Sequence, residues 1–330
     1  MAGVTVWRSL GAAANIVSST RRPLLAHVVV TRFCNLDCAY CSEFDKVSKP
    51  VALPLLLTRI EALASLGTQI VTLTGGEPLT HPGLEEVIRR IRAHGMVATV
   101  ITNGFLLSAR RIQALNAAGL HELQISIDGV KPDAVSLKTL KSLRPKLARL
   151  ARLARFHVNI NSVLGISEER TRDALEVGRA ARALGFSHTV GVLHDDRGHL
   201  EPLSDTQKAV YRELMASGSW AHRLNYLMFQ KNLMEGKPNN WRCRAGARYL
   251  YICEDGLVHY CSQQRGDPGI PLERYGAAEI DAAYHTAKAC APYCTVSCVH
   301  QASFLDAWRS PQRPPPPSTR SVLSPAPATA

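Results

Sequence analysis

Three cysteines stand close together early in the chain, in the run Cys34-Asn35-Leu36-Asp37-Cys38-Ala39-Tyr40-Cys41. The spacing C-x3-C-x2-C puts three thiols on one short loop. Thiolates are soft donors that suit zinc or iron–sulfur clusters. A tetranuclear cluster normally takes four thiolates. With no fourth cysteine nearby, this loop would ligate three irons and leave one open to a small-molecule ligand. The competing assignment is structural zinc, which needs four closed ligands and would have to recruit His27 or Asp37. Six more cysteines follow far away, at Cys243, Cys253, Cys261, Cys290, Cys294 and Cys298. An odd total of nine in 330 residues does not read as a secreted disulfide scaffold. Grouped cysteines in a reducing compartment read as metal sites, and the expected compartment is the cytoplasm.

Other polar and glycine-rich residues fall at regular places. They are Gly75-Gly76-Glu77-Pro78, Thr102-Asn103-Gly104, Ser126-Ile127-Asp128-Gly129 and His194-Asp195-Asp196. Glycines let backbone approach a ligand closely, and Glu77 offers a carboxylate to an ammonium group. Each motif ends a short β-rich run. The runs cover 27–33, 70–74, 98–103, 122–128, 157–164 and 188–194. Between them the pattern predicts helices near 53–66, 83–94, 108–118, 136–154 and 168–184, with Gly67, Gly95, Gly119 and Gly185 just after four of them. Alternating strands and helices make a parallel α/β sheet, either doubly wound or curled into part of a barrel. Both place ligands at the C-terminal strand ends, where these motifs lie.

Taken together, the motifs resemble the radical S-adenosylmethionine (SAM) superfamily. Its signature is C-x3-C-x2-C with an aromatic residue before the last cysteine, a place Tyr40 fills. Gly75-Gly76-Glu77-Pro78 matches the family's GGEP motif, and the two later motifs match at their strand ends. The likeness covers roughly residues 27–195. It implies a partial (β/α)6 TIM-like barrel with a [4Fe–4S] cluster on Cys34, Cys38 and Cys41. It also implies SAM on the open iron, bound among Tyr40, Gly75, Gly76, Glu77, Pro78, Thr102, Asn103, Ser126, Asp128 and Asn161. In the family an electron from the cluster cleaves SAM to a 5′-deoxyadenosyl radical, which takes a hydrogen atom from an organic substrate. The protein's task is to position the reactants and exclude water. His194 and Asp195 are candidates for carrying a proton or binding substrate, with ordinary turn-capping as the alternative.

The run Cys243-x12-Gly256-x4-Cys261 resembles the opening of a SPASM or twitch auxiliary-cluster domain, and Cys290-x3-Cys294-x3-Cys298 supplies further thiols. Six cysteines cannot fully ligate two clusters. The resemblance therefore implies one auxiliary [4Fe–4S] cluster on Cys243, Cys261 and two of Cys290, Cys294 and Cys298. Cys253 is left over, and His259 and His300 are further possible ligands. A zinc ribbon is the competing assignment. An auxiliary cluster favours a net oxidation over a SAM-neutral isomerisation.

Composition bounds the rest. Hydrophobic residues are 46% of the chain, enough for a full core. No apolar run is long enough to span a bilayer. A net charge of +12 favours acidic partners. Lys138, Lys141, Arg144, Lys146, Arg149, Arg152 and Arg155 recur at helical spacing. They form either a solvated helix face or a docking patch for a flavodoxin or ferredoxin reductant. No nucleic-acid-binding module is recognisable. The expected organisation is an N-terminal lead-in at 1–26, the barrel at 27–200, a helical connector at 201–240, the auxiliary domain at 241–308 and a disordered Pro-rich tail at 309–330. The expected activity is oxidation, dehydration or epimerisation of a small molecule. One alternative is radical cross-linking or epimerisation of a ribosomally made peptide. An alternative of another class is a non-catalytic iron–sulfur redox sensor.

Overall fold

The computed structural model describes residues 19–165, 168, 170–192, 202–216 and 220–309. His194, Asp195, most of the expected lead-in and the Pro-rich tail lie outside these residues. The first six strands are β1 (Leu25–Thr31), β2 (Ile70–Gly75), β3 (Val97–Thr102), β4 (Glu122–Ser126), β5 (His157–Leu164) and β6 (Ser187–Val192). The helices between them are α1 (Leu53–Ser65), α2 (Leu84–Ala93), α3 (Ala109–Ala118), α4 (Leu140–Leu153) and α5 (Asp173–Ala183). All six strands pair in parallel, and they pair in sequence order from β1 to β6. A doubly wound sheet reverses its order at a switch point. This one does not, so it is the partial, open barrel.

Local chemistry sets the element ends. Ser108 accepts from the Arg111 amide at 3.1 Å to cap α3, and Thr139 caps α4 through the Ser142 amide. Gly119, at φ 83°, ends α3 in the left-handed conformation. Alternation along the strands then divides the side chains between two faces. Val71, Leu73, Ala98, Val100, Leu123 and Ile125 are fully buried under the helices. Each such aliphatic side chain larger than alanine contributes about 1.5–3 kcal/mol. Their neighbours Thr72, Thr99 and Gln124 face the concave side, where a cavity lies.

The sheet does not stop at six strands. β7 (Tyr249–Ile252) adds in parallel to the free side of β1, with Tyr251 opposite His27. β8 (Leu257–His259) and β9 (Pro268–Pro271) continue it antiparallel, giving nine strands in the order β6-β5-β4-β3-β2-β1-β7-β8-β9. The cysteine-rich region thus grows out of the barrel's own sheet. Its β7–β8 turn is held from beneath: Arg59 of α1 donates to the carbonyls of Cys253 at 3.3 Å and Glu254 at 2.9 Å. The connector is α6 (Asp205–Ala216), α7 (Trp220–Asn225), a π-helical turn at Tyr226–Gln230 and α8 (Lys231–Met234). The chain closes with α9 (Ala277–His285) and α10 (Ser297–Phe304). A buried ion pair, Arg248 to Asp306 at 3.0 Å, joins β7's start to the end of α10, while Arg248 also donates to the carbonyls of Ser19 and Arg22. Among the described residues, no helix is long and apolar enough to cross a membrane.

Candidate active site

The loop carrying Cys34, Cys38 and Cys41 leaves the C-terminal end of β1. The Leu36 amide donates to the Cys34 sulfur at 3.4 Å, and the Asn103 amide nitrogen approaches it at 3.7 Å. The Cys38 sulfur lies 3.6 Å from the Ser136 hydroxyl. Burial pushes the Cys34 and Cys41 thiols up, and each thiol's proximity to another on the loop adds to this. Bare thiolates are therefore disfavoured here, whereas bound metal reverses that preference. A tetrahedral zinc would hold its thiolates about 3.8 Å apart, given Zn–S near 2.3 Å. Among the described residues, the one ligand trio within 4.8 Å of one another is Cys253, Asp255 and His259. The Cys34, Cys38 and Cys41 sulfurs do not gather to that spacing, and three thiols on one short loop with no fourth beside them fit three irons of a cluster.

Gly75 and Gly76 act in a way that spacing alone does not reveal. A Cβ on Gly75, whose φ is 135°, would sit 2.0 Å from the Thr31 carbonyl oxygen, and one on Gly76 would sit 2.3 Å from that of Arg32. The missing side chains let this turn lie flat against the end of β1. The Gly76 and Glu77 amides donate to the Thr31 and Phe33 carbonyls, each at 2.8 Å. Glu77 is fully buried, and its carboxylate accepts from the Leu79 amide at 2.9 Å, the Thr102 hydroxyl at 2.6 Å and the Asn103 amide at 2.7 Å. Burial raises its pKa against these donors. The sequence suggested that this carboxylate holds an ammonium group; here its three hydrogen bonds all go to the protein. They staple the β2 end to the β3 end and set Asn103 against Asn35 at 2.8 Å. Pro78 opens the short 3-10 turn that follows.

Asp128, two residues beyond β4, gathers a second group. One oxygen accepts from the Tyr40 hydroxyl at 2.6 Å and the Ser136 hydroxyl at 2.7 Å, and pairs with the Lys138 ammonium at 3.2 Å. Lys138 also donates to the Tyr40 hydroxyl at 2.6 Å. Burial opposes the charged form of Lys138, but the Asp128 carboxylate and the hydrogen bond to the Tyr40 oxygen outweigh it and hold Lys138 protonated. Burial raises the Tyr40 phenol. The other Asp128 oxygen is buried and has no partner among the described residues. That orphan acceptor beside the cysteine loop suits a hydroxyl-bearing ligand. Ser126 lies opposite Asn161 in the β4–β5 register, and the Asn161 side-chain oxygen accepts from Thr189 at 2.7 Å.

The later cysteines form one neighbourhood with one outlier. Cys243, Cys261, Cys290 and Cys294 lie close enough to raise one another's thiols, and Cys298 joins through Cys261. Burial is the larger cause and lifts Cys243 to about 11 and Cys261 to about 12. Cys253 faces Arg265, Glu254, Asp255 and Glu43 instead. His259 accepts from the Gly266 amide at 3.0 Å. His300 is fully buried and stacks on Phe229 with ring centroids 4.2 Å apart.

Several participants were not foreseen from sequence. Lys138 belongs to the basic stripe by spacing, yet it turns inward to Asp128. Lys146 sits over the Phe105 ring and Arg149 donates to the Leu107 carbonyl, so the stripe's exposed members are Lys141, Arg144, Arg152 and Arg155. Ser136 carries no motif signal at all. Glu43, two residues after Cys41, takes hydrogen bonds from Tyr251 and Arg265, tying the cysteine loop to β7.

Comparison with known proteins agrees with this geometry. The sequence profile of the Radical SAM superfamily matches residues 28–195. Among curated proteins, the AdoMet-dependent heme synthase of Methanosarcina barkeri is 36% identical over 124 residues, 36% of this chain and 35% of that one. The GTP 3′,8-cyclase of Chlorobaculum tepidum is 39% identical over 105 residues, 31% of this chain and 32% of that one. The PqqA peptide cyclase of Ruegeria pomeroyi is 32% identical over 114 residues, 34% of this chain and 30% of that one. The chain thus spans about a third of the length of these relatives. Two solved structures share the fold. Streptococcus suis SuiB bound to precursor peptide SuiA has a TM-score of 0.56 at 13% identity, covering 91% of this chain and 67% of that one. Native anSMEcpe with bound AdoMet and Cp18Cys peptide has a TM-score of 0.54 at 15% identity, covering 87% and 98%. With the profile spanning half its length and the cysteine loop at the end of β1, this chain is a member of the Radical SAM superfamily.

Proposed function

We propose that this protein cleaves SAM at a [4Fe–4S] cluster on Cys34, Cys38 and Cys41 and oxidises, dehydrates or epimerises a small organic molecule. An auxiliary cluster on Cys243, Cys261 and two of Cys290, Cys294 and Cys298 would assist. The observation that carries this reading is the three-thiol loop packed on the Gly75–Glu77 turn beside the orphan acceptor of Asp128. The cluster and SAM supply one-electron cleavage and hydrogen-atom abstraction when bound. The chain's own residues set the geometry. Asn103 supports the Cys34 sulfur, Glu77 fixes Asn103, and Tyr40 and Lys138 orient Asp128 toward a sugar hydroxyl of SAM. An acidic flavodoxin- or ferredoxin-type reductant would meet Lys141 and Arg144, which are exposed at the start of α4 just after Lys138.

Electron paramagnetic resonance of the reduced, reconstituted protein tests the open iron. Adding SAM should shift the signal of one cluster, and Cys34→Ser should abolish that shift. An unchanged spectrum would favour the redox-sensor alternative. Peptide maturation is a second reading, favoured by the similarity to a relative named PqqA peptide cyclase.

A further inference from the structure

Against the concave side of the sheet lies an open cavity of about 990 Å³ that none of the motifs above accounts for. One wall is the inner face of the strands, from their starts up to Asn161, which is level with Ser126 at the end of β4. The opposite wall is the end of α7 and the segment from Thr295 to Gln301, which carries Cys298. The cavity therefore joins the level of the proposed SAM site to the cysteine-rich region.

Its lining has a consistent chemistry. The strand wall contributes neutral hydroxyls and amides, with Thr72 and Thr99 bonded to each other at 2.7 Å beside Gln124, together with the imidazoles of His27, His121 and His157. Among the described lining residues, the acidic or strongly basic ones are Glu122 and Arg155. Both sit at the strand-start end. Glu122 is engaged with His157 at 3.2 Å, and Arg155 is exposed. The far wall holds two polar groups that are 92% buried, Asn225 and Thr295, each 8% exposed. The Asn225 side-chain nitrogen reaches Ser297 at 3.5 Å, but among the described residues its oxygen has no partner, and neither does the Thr295 hydroxyl. Buried polar groups are ordinarily satisfied, so a pair left open on a cavity wall marks a place where a ligand supplies the bonds.

We infer that this cavity receives an uncharged part of the substrate that hydrogen-bonds through amide or hydroxyl groups, held by Asn225 and Thr295. Among the described lining residues no buried Lys or Arg would meet the charges of a nucleoside triphosphate, so an uncharged group fits this wall better. This deepens the proposed function and rests on it for the chemistry, but not for the binding. An amide-bearing peptide segment and a polyol share the required chemistry.

Saturation-transfer NMR on the reconstituted full-length enzyme separates them, using an N-acetylated glycine tripeptide amide, myo-inositol and GTP as probes. One or both uncharged probes should bind, and the signal should fall at least threefold in Thr295→Val and in Asn225→Leu. GTP should show no signal that depends on these residues. Because the Thr295 hydroxyl has no partner among the described residues, Thr295→Val should keep the wild-type melting temperature and iron content. Binding of GTP that is lost in the variants would overturn the inference. So would absence of both uncharged probes, or probe binding indifferent to either substitution. Whether the wild type forms 5′-deoxyadenosine is scored separately. Its absence would sink the functional reading and leave the cavity result standing.

Discussion

Replacing Asp128 by asparagine should unsettle the active-site floor by removing one charge while keeping its shape. The Asp128 side chain is 0% exposed and that of Lys138 is 13% exposed. Stripping one partner from a buried pair costs about 3–5 kcal/mol, because the other charge is left uncompensated. Asparagine keeps a neutral acceptor for the Tyr40 and Ser136 hydroxyls, which lowers the expected loss to about 2–3 kcal/mol. Removing both charges, in Asp128→Asn with Lys138→Met, should return most of it, since swapping a buried pair for neutral groups is often close to neutral. Denaturant unfolding of the four cluster-free proteins gives the cycle directly. The expected coupling is at least about 1.5 kcal/mol. Additivity within about 0.5 kcal/mol, as for independent sites, would refute the view that Lys138 and Asp128 work as one unit.

Other consequences follow from single contacts. Gly75→Ala places a methyl 2.0 Å from the Thr31 carbonyl oxygen at φ 135°, so it should cost more than about 4 kcal/mol, measured by denaturant unfolding. Arg59→Ala removes two hydrogen bonds from a charged donor to the β7–β8 turn and should cost about 2–4 kcal/mol, with faster amide exchange at the turn. Burial lowers the His27 pKa from 6.5 to about 4. Its neutral form is the folded one, so its contribution is complete above pH 6.5 and is lost as pH falls toward 4. At about 1.4 kcal/mol per pH unit this sets an upper bound of about 3 kcal/mol, since His27 is half-buried and faces the cavity, and His27→Asn should flatten the acid limb by up to that amount. Two [4Fe–4S] clusters predict about eight irons per chain, about four after triple Ser replacement of Cys34, Cys38 and Cys41, and no change in Cys253→Ser.

The barrel was legible because period-two apolar runs and post-helix glycines agree. Val71 and Leu73 on one face of β2, and Gly119 after α3, behave as their local chemistry dictates. Chain order could not show that β7 would pair with β1, since that contact joins residues more than two hundred positions apart and depends on a free sheet edge. The site was legible as motifs but not as roles. Glycine next to glycine reads equally as a ligand cradle or as a backbone contact, and only the structure reveals the contact, with the Thr31 and Arg32 carbonyls. Lys138 looked like one more cation on a helix stripe; only the loop that folds it over Tyr40 gives it a buried partner. Ser136 and the open acceptor on Thr295 have no sequence signal, because both arise from what packs around them.

The most direct test of the central claim is product analysis under anaerobic reduction. The reconstituted protein, given SAM and dithionite, should form methionine and 5′-deoxyadenosine. Replacing Cys34, Cys38 or Cys41 by serine should abolish both, and Cys253→Ser should abolish neither. A protein with its clusters intact that leaves SAM uncleaved under these conditions would contradict the account.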